Sequence, residues 1–123
     1  MSVAYDAERA PDAAPWSAAS REDRVRAVEA FHAASQAPHP PIERARIHAA
    51  LHVVVEDQLA KGEPPEAARA VARLVAGGAT RHAALHEVGR VASAALQAAL
   101  TTGRFDAEAY ARALDALGVP PPP

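Results

Sequence analysis

The sequence contains no cysteine among its 123 residues. Its absence excludes disulfide bonds, thiolate zinc sites, iron–sulfur clusters and a cysteine nucleophile. Aromatic residues are also scarce, at 4% of the chain, whereas alanine makes up much of the 50% that is hydrophobic. Because alanine has the highest helix propensity and buries little area, this composition predicts an all-α protein whose helices approach one another closely.

Long apolar runs and clusters of one charge are also missing. No stretch approaches the roughly 20 apolar residues that a transmembrane helix needs. The net charge is −2, with 13 basic and 15 acidic residues interspersed, so we expect neither a nucleic acid nor a membrane as a partner. The first residues lack the basic and apolar regions of a signal peptide, and we therefore expect a cytoplasmic protein.

Proline and glycine divide the chain into one helical domain and two flanking segments. Residues 1–15 are predicted to form a flexible N-terminal arm, and residues 119–123 a disordered, proline-rich tail. Residues 16–118 are predicted to fold as a small bundle of four to five helices. Capping side chains and prolines place the helix starts near residues 17–20, 41, 63–66, 80 and 106.

Two of these predicted helices carry the pattern His-x-x-x-His. The first contains His48 and His52, and the second contains His82 and His86. Four residues advance an α-helix by about one turn, so the two imidazoles of a pair lie on one face, roughly 6 Å apart. Two pairs on packed helices would bring four imidazoles to a shared pocket. Transition-metal ions bind well to such a cluster of imidazole nitrogens. We therefore predict a metal-binding domain for iron or zinc, with copper or nickel as further options.

Glu56 and His32 extend the candidate site. Glu56 lies one turn after His52 on the same face, so these two residues could also share an ion. One or two ions per chain fit these residues, and a ligand role for Glu56 would favour a two-metal site, since the spacing is similar to that of hemerythrin-like di-iron bundles. His32 lies on the apolar face of the preceding helix, where we favour a histidine at the edge of the core over a fifth ligand.

Polar residues beside the two motifs fit two interpretations. Gln58 and Arg81 would orient the imidazoles around a metal ion. Together with Glu56 and Glu87, they would equally complete a buried hydrogen-bond network that needs no metal. If an ion keeps an open position, Glu56 or Glu87 is the candidate catalytic base for a reaction on a small-molecule substrate.

The sequence is compatible with three kinds of function. The first is a non-haem metalloenzyme or oxygen-handling protein. The second is a non-catalytic assembly module, such as a homo-oligomer, whose histidines are structural or sense pH. The third is a metal carrier with an exchangeable ion. A nucleophilic hydrolase is not favoured, because the sequence has neither a Gly-x-Ser-x-Gly elbow nor a phosphate-binding glycine loop.

A series of short motifs runs through residues 48–117 in a specific order. They are His48-Ala-Ala-Leu-His52 with Gln58, Pro64-Pro65-Glu66, Arg73-Leu74, Gly78, Arg81-His82-Ala-Ala-Leu-His86, and Phe105-Asp106 to Tyr110. In these motifs the chain resembles the bacterial domain-of-unknown-function 1841 family. The resemblance implies a small helical domain with paired histidines at the positions of His48, His52, His82 and His86, together with Gln58, and implies no activity. Glu56 departs from the family pattern, which often has a small residue there.

Overall fold

The computed structural model describes residues 3–34 and 44–120, and all regular secondary structure within them is α-helical. The helices are α1 (Ala13–Ala18), α2 (Arg21–Ala34), α3 (Ala45–Lys61), α4 (Pro65–Ala76), α5 (Arg81–Thr102) and α6 (Ala107–Ala116). The predicted all-α bundle is confirmed, with the short helix α1 as an addition to the predicted elements. None of the described helices is long and apolar enough to cross a membrane.

Capping residues set the ends of several helices as the sequence predicted. Thr80 and Asp106 each accept a backbone N–H from the first turn of the helix that follows, α5 and α6 respectively. These hydrogen bonds satisfy donors that have no partner within the helix. Gly62 ends α3 and Gly103 ends α5, with φ angles of 70° and 80° that favour glycine. The start of α3 predicted near Pro41 lies outside the described residues.

Helices α3 and α5 form the centre of the bundle. Helix α3 packs against α2, α4 and α5, whereas α5 packs against α3, α4 and α6. Arg81 at the start of α5 contacts Glu56 near the end of α3, and His86 further along α5 contacts His52, which comes earlier in α3. The two central helices therefore run antiparallel.

Small residues allow the close packing that the composition predicted. Ala67, Ala70 and Ala84 are completely buried, and they lie among larger core side chains such as Val55 and Leu114. Because alanine adds little volume, the helix backbones approach closely. The dispersion contacts of this close packing supply stabilisation that large side chains would otherwise give by burying apolar area.

Residues of the N-terminal segment, predicted to be a flexible arm over residues 1–15, pack against the helices in the part that the structure describes. Ala7 is completely buried, and the ring of Tyr5 lies 5.6 Å from that of Trp16 and 5.7 Å from that of Phe31. Small polar residues and prolines predicted flexibility, but the burial of Tyr5 stabilises this segment on the bundle. Residues 121–123 of the predicted tail lie outside the described part.

Several large apolar side chains are exposed. Ile47 of α3 is 54% exposed and Leu100 of α5 is 87% exposed, whereas His52 and Glu56 are buried. The face of α3 that carries His52 and Glu56 therefore points into the bundle, whereas Ile47 lies on an outward face. Exposed apolar side chains are compatible with helix association, and the predicted homo-oligomer stays a prediction.

Candidate metal centre

Five histidine side chains from three helices converge between α2, α3 and α5. His32 comes from α2, His48 and His52 come from α3, and His82 and His86 come from α5. One ligand nitrogen of each ring lies within 4.8 Å of the corresponding nitrogen of every other ring. The predicted meeting of the two histidine pairs in a common pocket is thereby confirmed, and a fifth ring joins them.

Helix geometry explains how the two pairs meet. In each pair the four-residue spacing places both rings on one face of the helix. Since α3 and α5 run antiparallel, these two faces oppose each other along about one turn. The closest approach described between the pairs joins Nε2 of His52 and Nε2 of His86, which lie 3.2 Å apart.

His32 lies within this group rather than at the edge of the core, which corrects our preference from the sequence. Its Nε2 atom lies 3.2 Å from Nε2 of His48 and 3.2 Å from Nε2 of His82. The signal was present in the sequence, because Val25 and Val28 precede His32 at helical spacing and both are buried. A histidine that continues such a buried face points into the bundle.

Hydrogen bonds to the outer nitrogens fix the tautomers of two rings. Nδ1 of His32 lies 2.9 Å from the carbonyl oxygen of Val28, which can only accept, so this nitrogen donates. Tyr5 donates its hydroxyl proton to Glu56 over 2.7 Å, so the same hydroxyl is free to accept from Nδ1 of His52 at 3.2 Å. In the neutral form of either ring the lone pair therefore lies on Nε2, directed at the other imidazoles, as metal ligation requires.

Glu56 lies behind His52 rather than among the ligand nitrogens. Arg81 donates to both of its carboxylate oxygens over 2.7 and 2.8 Å, and Tyr5 donates to one of them. The same guanidinium also donates to the backbone carbonyls of Ala7 and Arg9. Glu56 thus anchors Tyr5, and through Tyr5 the ring of His52, while Arg81 ties the N-terminal segment to this network.

Two other residues singled out in the sequence contact partners away from the five rings. Gln58 accepts a hydrogen bond from the hydroxyl of Tyr110 over 2.8 Å. Glu87 is exposed and forms an ion pair with Arg90 at 2.9 Å. The roles predicted for Gln58 in orienting imidazoles and for Glu87 in catalysis therefore stay predictions.

Burial controls the protonation of the residues around His52. Burial, followed by the four neighbouring imidazoles, lowers the pKa of His52 to about 2. Burial, followed by the charge of Glu56, raises the pKa of Tyr5 well above its usual value of 10.0. His52 is therefore neutral and Tyr5 protonated at neutral pH, which are the states that the hydrogen-bond pattern requires.

The spacing of the five rings suits a single ion. With metal–nitrogen bonds of about 2.1 Å, adjacent nitrogens of an octahedron lie about 3.0 Å apart and opposite ones about 4.2 Å apart. The shortest Nε2 separations described are 3.2 Å, and the whole set stays within 4.8 Å. The ring centroids of His82 and His86 are 4.4 Å apart, as expected for two adjacent ligands of an octahedron. Those of His32 and His86 are 6.4 Å apart, as expected for two opposite ligands.

A cavity of about 440 Å³ opens beside the group, between α3 and α5. His48, His52 and His86 form part of its wall. The cavity therefore connects three of the five rings with the surface, and its volume falls within the range of small-molecule sites.

Comparisons with known proteins found no protein-family model, no curated protein and no solved structure that matches the chain. The resemblance to the domain-of-unknown-function 1841 family stays a prediction from the motifs alone.

Proposed function

We propose that the protein binds one transition-metal ion through the Nε2 atoms of five histidines. The observation that carries this proposal is the convergence of His32, His48, His52, His82 and His86 within 4.8 Å. Folding brings together five aromatic nitrogens from three helices, which costs free energy unless a cation occupies the centre. The fixed tautomers of His32 and His52 support the proposal, because they direct lone pairs toward that centre.

One ion is favoured over two. A two-metal centre places its ions about 3.5–4 Å apart and uses bridging groups, commonly carboxylates. Among the described residues, the group of five contains only histidines, and Glu56 is engaged by Arg81 and Tyr5. We therefore assign Glu56 to the support of His52 rather than to a bridge between ions, and we assign neither Glu56 nor Glu87 as a catalytic base.

The donor set also narrows the choice of metal. Imidazole nitrogens suit iron, nickel, copper and zinc, whereas structural zinc sites are almost always tetrahedral with four ligands. Five donors arranged as adjacent and opposite members of an octahedron favour an ion that accepts five or six ligands. Iron(II) and nickel(II) satisfy this condition better than zinc, and an ion with five protein ligands keeps one position open.

Metal titration of the purified full-length chain tests the proposal. After removal of metal with a chelator, we expect iron(II) or nickel(II) to bind at about one ion per chain. X-ray absorption of the loaded protein should show five or six nitrogen or oxygen neighbours, with the outer-shell scattering typical of imidazole. Metal content below about a tenth of an ion per chain under every loading condition would contradict the proposal.

The hydroxyl of Tyr5 is expected to strengthen metal binding without touching the ion. Tyr5→Phe removes the acceptor of His52 Nδ1, so the ring loses the partner that fixes its tautomer and orientation. Loss of such an outer partner typically weakens metal binding about 10- to 100-fold. Competition with a chromogenic chelator would measure this change.

Tyr110→Phe is a matched control for this variant. Tyr110 is a buried tyrosine whose hydroxyl donates to Gln58 rather than to the network around His52. We expect Tyr110→Phe to leave the metal affinity unchanged. Equal weakening in both variants would show that general destabilisation, rather than the orientation of His52, controls the affinity.

A further inference from the structure

The cavity beside the five rings has the form of a ligand site with two kinds of wall. Its metal-facing wall holds His48, His52 and His86, and its further walls include the apolar side chains of Leu51 and Leu85. A molecule in this cavity would lie against imidazoles at one end and mostly against carbon atoms along its length, with Arg90, Ser93 and Gln97 also in the wall. A ligand that fits this cavity therefore has one end that contacts the imidazoles and a body that contacts the apolar side chains.

The charge at the histidine end favours an anion. Five neutral imidazoles leave the charge of a divalent ion uncompensated, and the nearby carboxylate of Glu56 is already paired with Arg81. An uncompensated charge in a buried site is costly, and an anion in direct contact reduces that cost. The open position of a five-histidine ion would therefore bind an anionic donor in preference to a neutral one.

The shape of the cavity favours a ligand with an apolar body. His86, Arg90, Ser93 and Gln97 line it from successive turns of α5. Gln97 lies eleven positions after His86, and the helix rises about 1.5 Å per residue. These side chains therefore span roughly 16 Å along α5. Leu51, Leu85 and the exposed Ala94 also line this path, so the space beyond the ion is both elongated and largely apolar.

We infer that this cavity binds a small organic monocarboxylate. Its carboxylate oxygen coordinates the open position of the ion, and its alkyl chain lies against Leu51 and Leu85. Coordination forms one metal–oxygen bond and transfers no electrons. Since the carboxylate needs an ion to bind, the inferred ligand site rests on the proposed metal centre.

A chain-length series on the cobalt(II)-loaded protein tests this inference. The visible absorption of cobalt(II) changes when a ligand enters its coordination sphere, so it reports carboxylate binding directly. Each buried methylene contributes binding that corresponds to about a three- to fourfold change in affinity. We therefore expect hexanoate to bind more than about tenfold more tightly than acetate, and hexanol to leave the spectrum unchanged.

Two alanine positions on α5 supply a matched pair of variants. Ala94→Phe introduces a ring at the cavity wall, whereas Ala98→Phe introduces the same ring one turn later, at an exposed position outside that wall. Neither residue contributes to the five-histidine group, so both variants should bind cobalt(II) as the unmodified protein does. Ala94→Phe is expected to abolish the preference for hexanoate over acetate, and Ala98→Phe to retain it.

The possible results separate the ligand site from the metal centre. Stoichiometric cobalt(II) binding with no spectral response to any carboxylate would overturn the ligand site alone. Equal affinities for acetate and hexanoate would overturn the apolar part of the site, as would an unchanged preference in a folded Ala94→Phe variant. Failure of the protein to bind cobalt(II), iron(II) or nickel(II) would overturn the metal centre and the ligand site together.

Discussion

Replacing both His52 and His86 by alanine is expected to abolish metal binding. The two residues come from different helices, and their Nε2 atoms lie 3.2 Å apart in the centre of the group. Structural zinc sites bind with about 10–16 kcal/mol, or roughly 3 kcal/mol for each of four ligands. By the same scale, losing two imidazoles weakens binding on the order of 10⁴-fold.

Stability measurements provide a second readout of the same change. An ion that binds only the folded state at a free concentration of 100 times its Kd adds about 2.7 kcal/mol to the free energy of unfolding. Thermal unfolding of the unmodified protein should therefore shift upward when metal is added, and that of the His52→Ala, His86→Ala variant should not. Metal content and metal-dependent stabilisation would be measured on the same samples.

Glu87→Gln is the control for the double variant. Glu87 is close to the motif in sequence, yet its side chain is exposed and paired with Arg90. We expect this variant to keep both the metal content and the metal-dependent rise in stability. If the double histidine variant retained stoichiometric metal, the ion would be bound elsewhere and the proposed centre would be wrong.

Replacing Arg81 by methionine is expected to destabilise the fold by about 3–5 kcal/mol. Its guanidinium forms two hydrogen bonds with the carboxylate of Glu56, whose side chain is completely buried. Methionine would leave that carboxylate charged and unpaired in the interior, which is more costly than the loss of the pair itself. Chemical unfolding of the metal-free protein would measure the change without a contribution from the ion.

Two comparisons isolate the cause of this destabilisation. In a variant that combines Arg81→Met with Glu56→Met, no unpaired charge remains, so the loss should be smaller than with Arg81→Met alone. Arg90→Met breaks the exposed pair with Glu87 and is expected to cost less than about 1 kcal/mol. Glu56→Met alone completes the cycle, and if the double variant lost as much stability as Arg81→Met and Glu56→Met lose in sum, the ion pair would make no separate contribution.

The fold and four of the five histidines could be predicted from the sequence. The alanine content predicted helices, and the four-residue spacing placed His48 with His52 and His82 with His86. These are local properties of a helix, and local properties can be read from neighbouring residues. Caps such as Thr80 and Asp106 were predictable for the same reason.

The remaining members of the site depend on contacts between distant segments. The spacing of His32 from Val25 and Val28 places it on the buried face of α2, but it reaches the group only because α2 packs against α3, and this packing cannot be read from residues within α2. Tyr5 lies in a segment whose composition predicted flexibility, yet its hydroxyl joins His52 to Glu56. Glu56 was predicted as a ligand from its spacing, but spacing cannot show that Arg81 from another helix already occupies both carboxylate oxygens.

The placement of the five rings on three helices has a mechanical consequence. In the bundle α2 packs chiefly against α3, so few direct contacts join it to α5. A shared ion would act as a non-covalent cross-link that ties α2 to α5 through His32, and would close a long loop of chain. Such a link removes freedom from the partly unfolded states in which α2 detaches, so metal occupancy would govern how often this edge of the molecule opens.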